Sequence, residues 1–315
     1  MKRKTEECPF RTSIGGQALI EGILMRGPKM QAVVCRTQDG LVEKTEELKL
    51  VRDKHPILGL PFVRGVVTLF DSLFKGMSAL TYSASLVPLE DQGEPDKIDQ
   101  WIEAHFEGEK AQKLIIATAV ILGVALAMFL FIFLPAFLVG LIPGLKENFF
   151  ARNLSEGALR IVILLVYMRL ICELGDIKRL FAYHGAEHKT IFCYEHGKPL
   201  TVENVRPESR FHPRCGTSFL LVVIVVSILV NSVVRLSNSF ARMGCHLLLL
   251  PVVVGVSYEI NRWCGRHDNA LSAVLSAPGK WLQRMTTNEP DDGMIECAIR
   301  ALELVIPEEK GSDAW

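Results

Sequence analysis

The chain lacks a charge bias. Thirty-five Lys and Arg stand against 35 Asp and Glu in 315 residues. A strong basic excess is the usual electrostatic footprint of a nucleic-acid binder, so its absence argues against nucleic acid as a partner. Paired cysteines are also missing. The eight cysteines, at 8, 35, 172, 193, 215, 245, 264 and 297, form no CxxC and carry no disulfide-framework spacing. A reducing, cytoplasm-facing environment is the simplest account. Met1–Arg11 is polar and charged, with neither an apolar core nor a small-residue cleavage site, so a cleaved signal peptide is not expected. There is no GxGxxG, no Walker loop, no internal repeat and no low-complexity tract.

Long apolar runs are present instead. Leu114–Leu141 is about 28 residues without a charge, more than the ~20 that cross a bilayer, with Pro135 as a kink or exit point. Ser218–Val234 is rich in Val, Ile and Leu, and Cys245–Ile260 is nearly all apolar around Pro251. Ala158–Leu174 is interrupted by Arg160, Arg169 and Glu173, which can snorkel if they sit near helix ends. Basic residues set the expected orientation. Lys110 and Lys113 precede the first run, and seven Lys and Arg fall in 175–217, from Lys178 to Arg214. Arg262 and Arg266 follow the last run, whereas the loops at 142–157 and 235–244 hold two basic residues each. Four spans (114–141, 158–174, 218–234, 245–260), with both termini cytoplasmic, satisfy this count. The organisation expected is a cytoplasmic region 1–113, a membrane region 114–260 including the loop 175–217, and a cytoplasmic tail 261–315. The fold class is mainly α: a polytopic helical membrane protein with a small cytoplasmic α+β portion.

That portion should contain β-hairpins. Val33–Thr37 and Leu41–Glu46 flank Gln38-Asp39-Gly40, and Ile191–Glu195 and Leu200–Val205 flank His196-Gly197-Lys198. Pro61–Leu86 reads as an interfacial or span-packed helix, Leu86–Glu109 as an acidic linker, and Met294–Leu304 as a helix.

Four of the eight histidines fall between 184 and 212. His184 and His188 are four apart and share one face of a helix, where one metal ion can reach both; Glu187 lies beside them as a general base toward activated water. The string H-x-x-E-H is the zinc motif of inverted zincins. Gly185 weakens a helix here by about 1 kcal/mol relative to Ala. His212-Pro-Arg-Cys215 offers imidazole and thiolate three residues apart, and Glu259 is a further carboxylate ligand candidate at the end of the last run. Zinc takes three protein ligands at a catalytic site and four at a structural one, so the set His184, His188, His212, Cys215 and Glu259 exceeds either need. The same residues would also serve as a solvated helix end at 184–188 and a helix-start turn at 212–217, with Glu259 pairing with Arg262. In Gly15–Pro28, four glycines with Gln17, Glu21 and Arg26 permit tight turns that could present amides and side chains to a polar or anionic ligand; a purely structural turn is the competing reading.

Four blocks, GGQALIEGILMRGP (15–28), YHGAEHKTIFCYE (183–195), HPRCGTSFL (212–220) and TTNEPDD (286–292), resemble the signature segments of the bacterial YqhQ family, from about Ser13 to about Glu303. That family comprises uncharacterised membrane proteins described as predicted metal-dependent enzymes. The resemblance implies that Gln17, Glu21, Arg26, His184, Glu187, His188, His212, Arg214 and Cys215 belong together. The leading expectation is a hydrolase using a divalent metal, zinc first, at the cytoplasmic membrane face. Glu187 would be the base, and Arg26 or Arg214 would steady an anionic transition state. The partners are the lipid bilayer and a peptide, lipid-head-group or other amide or ester substrate, with a homo-oligomer left open. Two alternatives use the same residues differently: an ion-handling transporter, for which spans almost free of buried charge make a poor pathway, and a non-catalytic scaffold for a cytoplasmic partner.

Overall fold

The computed structural model describes residues 10–49, 55–87, 100, 101, 105, 109–145, 148–234, 236, 238–267, 269–309 and 311–314. Most of the expected acidic linker, most of Met1–Arg11, and the side chains of Lys110, Lys113, Lys146 and Arg235 lie outside them. The chain is mainly helical, with one small sheet. Its backbone falls into two compact units, Met1–Leu86 with Met168–Val223 and Pro251–Trp315, and Val87–Tyr167 with Ile224–Leu250.

In the first unit, four strands form an antiparallel meander: β1 (Gly15–Leu19), β2 (Gly22–Arg26), β3 (Met30–Thr37) and β4 (Gly40–Glu47). The expected hairpin is β3–β4, with Thr37 opposite Gly40, and Gly40 adopts the positive φ of +123° that its turn needs. β2 and β3 are buried on both faces. On one face, Ile23, Met25, Ala32 and Val34 pack with helices α5 (Gly175–Glu195) and α10 (Asp292–Glu303). On the other, Leu24, Val33 and Cys35 meet Ala79 and Leu80 of helix α1 (Val63–Ser85). Double-faced burial explains the continuous apolar runs, which show no strand alternation. The outer strand β4 keeps Glu43, Lys44, Glu46 and Glu47 toward solvent, as an edge strand should. Helices α1 and α10 match the helical readings at 61–86 and 294–304.

One expectation is corrected. No hairpin spans 191–205: helix α5 runs unbroken to Glu195, and the return segment holds only the short helix α6 (Val202–Val205), capped by the Thr201 side chain. Residues 185–191 of α5 are all buried. A helix buried around its whole circumference has no amphipathic period, and the β-branched and aromatic run Thr190–Tyr194 then looks like a strand.

The apolar runs are all helical. α2 (Glu109–Met128) passes through one π-helical turn, Phe129–Phe133, into α3 (Leu134–Gly140). Pro135 has no N–H to give the ladder, and the register shift before it lets the helix continue. α4 (Phe149–Ile171), α7 (Gly216–Asn231), α8 (Ser239–Arg266) and α9 (Ala270–Thr286) follow. Among the described residues, two helices are long and apolar enough to cross a membrane, Leu114–Gly140 and Phe240–Arg266. None of the most apolar window of Leu114–Gly140 is buried by protein. At 16 residues α7 is shorter, and α4 carries Arg152, Glu156 and Arg160 along one side. Charge is buried in the second unit: Arg160, inside the run 158–174, is 7% exposed, and Arg152, Glu156 and Arg242, which fall in the loops expected at 142–157 and 235–244, are at most 3% exposed.

Candidate metal centre

The centre is built on α5. Spacing of four places the rings of His184 and His188 together, with centroids 4.3 Å apart. Cys215, in the turn before α7, faces them. One ligand atom from each of His184, His188 and Cys215 lies within 4.8 Å of the other two, and the Cys215 Sγ is 3.2 Å from His184 Nε2. Each imidazole is tied at its other nitrogen. His184 Nδ1 donates to the Thr286 carbonyl at 2.7 Å, and His188 Nδ1 to the Arg210 carbonyl at 2.6 Å. A carbonyl only accepts, so Nδ1 carries a hydrogen on both rings. This is the outer-shell arrangement that orients metal-ligating histidines. His184, His188 and Cys215 would be the residues to hold a divalent ion such as zinc, which takes nitrogen and sulfur donors.

Backbone close approach makes this geometry possible. A Cβ on Gly185 would sit 2.1 Å from the Asn288 carbonyl oxygen, so only glycine lets the 286–290 segment lie against α5 and offer the Thr286 carbonyl. Gly16 of β1 approaches the other flank, and its N–H donates to Glu187 Oε1 at 2.9 Å. The second Glu187 oxygen, Oε2, is buried without a hydrogen-bond partner. A cleft of about 440 Å³ is lined by Gly15, Gly16 and Gln17 together with His184, Glu187, His188 and Cys215. The cluster thus brings together three candidate metal donors, a carboxylate oxygen without a hydrogen-bond partner and open space.

Electrostatics follow from burial and proximity. Burial opposes ionisation of Cys215, but the imidazoles of His188 and His184 outweigh it and hold the thiol well below its ordinary value. Burial disfavours charge on His184 too; the neighbouring Cys215 reverses this and raises its pKa to about 9. Glu187 is pushed up by burial, against the pull of His184 and His188.

A second layer surrounds the donors. The His212 ring lies tilted beside His188, centroids 5.6 Å apart, but turns its Nε2 toward Glu195, 3.5 Å away, and toward Arg214 at 3.3 Å. Burial, with the Arg214 charge adding to it against the pull of Glu195, lowers His212 to about 4. Arg214 forms a short ion pair with Glu195, which also accepts from the Thr12 N–H at 2.9 Å. Gln283 of α9 clamps the His212 backbone through both ends of its side-chain amide, Oε1 accepting from the His212 N–H and Nε2 donating to the His212 carbonyl, at 2.8 Å each. Glu195, Gln283 and Thr286 were not picked out by the sequence: each acts through a partner 16 or more positions away, and none sits in a metal-binding pattern.

The remaining candidates go elsewhere. Glu259 is held by Arg64, Oε1 to Nε at 2.7 Å, rather than by Arg262 or the imidazoles. Arg26 faces α1, with Ser72 at 3.1 Å and Asp71 at 4.0 Å. Glu21, at φ +49° in the β1–β2 turn, is bound by Arg179 at 2.6 Å and Tyr183 at 3.2 Å. Gln17 borders the cleft, but its amide end rests on Gly76 of α1. The centre therefore gathers His184, Glu187, His188 and Cys215, with His212 and Arg214 behind them.

Comparison with known proteins places this geometry in context. A family model described as "Protein of unknown function (DUF1385)" matches residues 60–308. The Bacillus subtilis (strain 168) protein described as "Uncharacterized protein YqhQ" is 34% identical over 292 residues, 91% of this chain and 90% of that one. No solved structure matches.

Proposed function

The chain belongs to the YqhQ family, DUF1385, and on that footing we propose that it is a membrane-held, metal-dependent hydrolase working at the cytoplasmic face. The observation that carries this reading is the convergence of His184 Nε2, His188 Nε2 and Cys215 Sγ, with both Nδ1 atoms committed to backbone carbonyls. When bound there, a divalent ion, zinc first, supplies Lewis acidity and makes water a nucleophile near neutral pH. The chain's own groups supply the rest. Glu187 Oε2 takes the proton from the attacking water and returns it to the leaving group, while the Gly16 amide fixes Oε1. Burial raises the affinity of Glu187 for that proton. Arg214 is spent on Glu195, so it is a positioning residue that holds the 212–215 turn rather than an anion clamp. The neutral His212 packs behind His188 and stiffens its ring. The substrate class is a peptide, a lipid head group or another amide or ester within reach of the inner leaflet.

For the membrane arrangement we infer four spans, α2–α3, α4, α7 and α8, with both termini in the cytoplasm. Leu114–Gly140 and Phe240–Arg266 support it by length and hydropathy. The exposed apolar side chains Phe70, Leu73 and Phe74 on α1 and Leu271 and Val274 on α9 support an interfacial placement of these two helices.

A second reading rests on the 3.2 Å contact between Cys215 Sγ and His184 Nε2, with the Thr286 carbonyl orienting the ring. These are the parts of a thiol nucleophile and its base. Cobalt(II) loading of the purified protein separates the two. The metal reading expects a thiolate-to-cobalt charge-transfer band that Cys215→Ser abolishes. Wild-type protein that takes up no cobalt, and whose hydrolysis is blocked by thiol alkylation but not by chelation, would favour the thiol enzyme.

A further inference from the structure

The second unit holds its own concentration of buried charge, unrelated to the metal centre. It gathers around Glu156 of α4, which is 1% exposed. Arg242 of α8 is fully buried; its Nη2 lies 2.6 Å from Glu156 Oε1 and 2.9 Å from Asn153 Oδ1. Arg160 is 7% exposed, with Nη2 at 4.0 Å from Glu156 Oε2 and 3.2 Å from His246 Nδ1, and Nη1 at 3.3 Å from Ser227 Oγ. Arg152 Nε approaches Glu156 Oε1 at 3.5 Å.

Hydrogen-bond accounting leaves donors over. A guanidinium only donates, so His246 Nδ1 must accept from Arg160, and the ring's hydrogen is on Nε2. That Nε2 is buried without a partner, as are Arg160 Nε and Arg242 Nε and Nη1. The unfilled acceptors of the same group are Glu156 Oε2 and Asn231 Oδ1. Charge is unbalanced in the same direction. Among the described residues, Arg160 and Arg242 face one carboxylate, Glu156. Burying cations without a counter-charge is among the costliest arrangements a helical core can hold. Planar guanidinium edges suit an oxyanion that accepts two hydrogen bonds at once.

We infer that this cluster is a binding site for one anionic oxyacid group of the phosphate class. The group accepts from Arg160, Arg242 and His246 and neutralises the excess charge. Asn231 ends α7 and Arg242 lies in the first turn of α8. The site is therefore at the ends of these helices, where a lipid headgroup or a dissolved phosphate ion can both be met.

The test uses the full-length protein in a neutral detergent, with thermal unfolding as the readout. It is titrated separately with inorganic phosphate and with short-chain phosphatidylglycerol, against phosphatidylcholine and sodium chloride at matched ionic strength. One of the two anions should stabilise saturably. Response to phosphatidylglycerol alone identifies a headgroup site, and response to phosphate identifies a small-ion site. Arg160→Gln should weaken that anion's apparent affinity about tenfold or more. Glu156→Gln removes the competing carboxylate and should tighten it; an ion-pair network with a purely structural role predicts no tightening. If Arg160→Gln does not fold, the Glu156→Gln titration decides by its direction, and if neither variant folds, the wild-type titration decides. No saturable stabilisation of the wild type by either anion, or an affinity unchanged in both variants, overturns the proposal.

Discussion

Two carboxylates on α5 receive opposite treatment. Glu187 is buried against histidines it cannot fully pair with, and burial raises its pKa; Glu195, also buried, is held low because His212 and Arg214 outweigh burial. The lowered group has a consequence for stability. The folded protein holds Glu195 ionised below the ordinary value of 4.5. Its contribution is therefore present above that pH and lost as pH falls through the folded value, where the unfolded chain already binds the proton. Glu195→Gln should lose about 3 kcal/mol near pH 7, because it strands Arg214. Its unfolding temperature should depend less on pH than that of the wild type as the pH falls below about 4.5, as read by thermal unfolding across that range. Glu187→Gln should retain metal while hydrolysis falls by roughly 10²–10⁴-fold, since only the base is lost; metal content and turnover measured on one preparation separate the effects. At this scale the sequence was informative wherever donors are local. His184, Glu187 and His188 share one helical turn, and Cys215 follows His212 by three. It was silent on Glu195, whose partners 17 and 19 positions on come near only through the turn at 196–215.

At the level of elements, Gly185 shows how tertiary packing overrides a local propensity. By itself glycine argues for a helix break, yet the helix passes through because the Asn288 carbonyl occupies the space a side chain would need. Gly185→Ala should therefore destabilise by about 2 kcal/mol through overpacking, instead of stabilising the helix by propensity. It should also weaken metal retention by shifting the Thr286 carbonyl away from His184. A melting curve with and without chelator checks both. The β3–β4 hairpin was legible because Asp39-Gly40 carries its own turn chemistry. The β1–β2 hairpin was not: Gly22, Ile23, Leu24 and Met25 are all buried, and nothing alternates.

Across the whole molecule, the apolar runs at 114–141, 218–234 and 245–260 were visible because an unbroken stretch of apolar residues needs no partner to be recognised. Arg152, Glu156 and Arg160 are a different matter. At spacing four they share one side of α4 and are buried with Arg242 and Asn153. In the sequence they read only as interruptions. The four-span arrangement predicts opposite accessibility for two engineered cysteines. Lys198→Cys, after α5, should react with an impermeant thiol reagent only after cells are opened, and Asn238→Cys, before α8, should react in intact cells. Reaction of position 198 from outside would reverse the orientation and take the metal centre out of the cytoplasm.

On the proposed metal reading, imidazoles 184 and 188 and thiolate 215 close on one cation. Elemental analysis of full-length protein purified in detergent without chelator, beside His188→Ala purified in parallel, tests it most directly. One divalent transition-metal ion per wild-type chain, and a strongly depleted variant that still folds, is the predicted result. Metal-free wild-type protein that also fails to take up zinc or cobalt on addition, or equal metal in the two proteins, would contradict it.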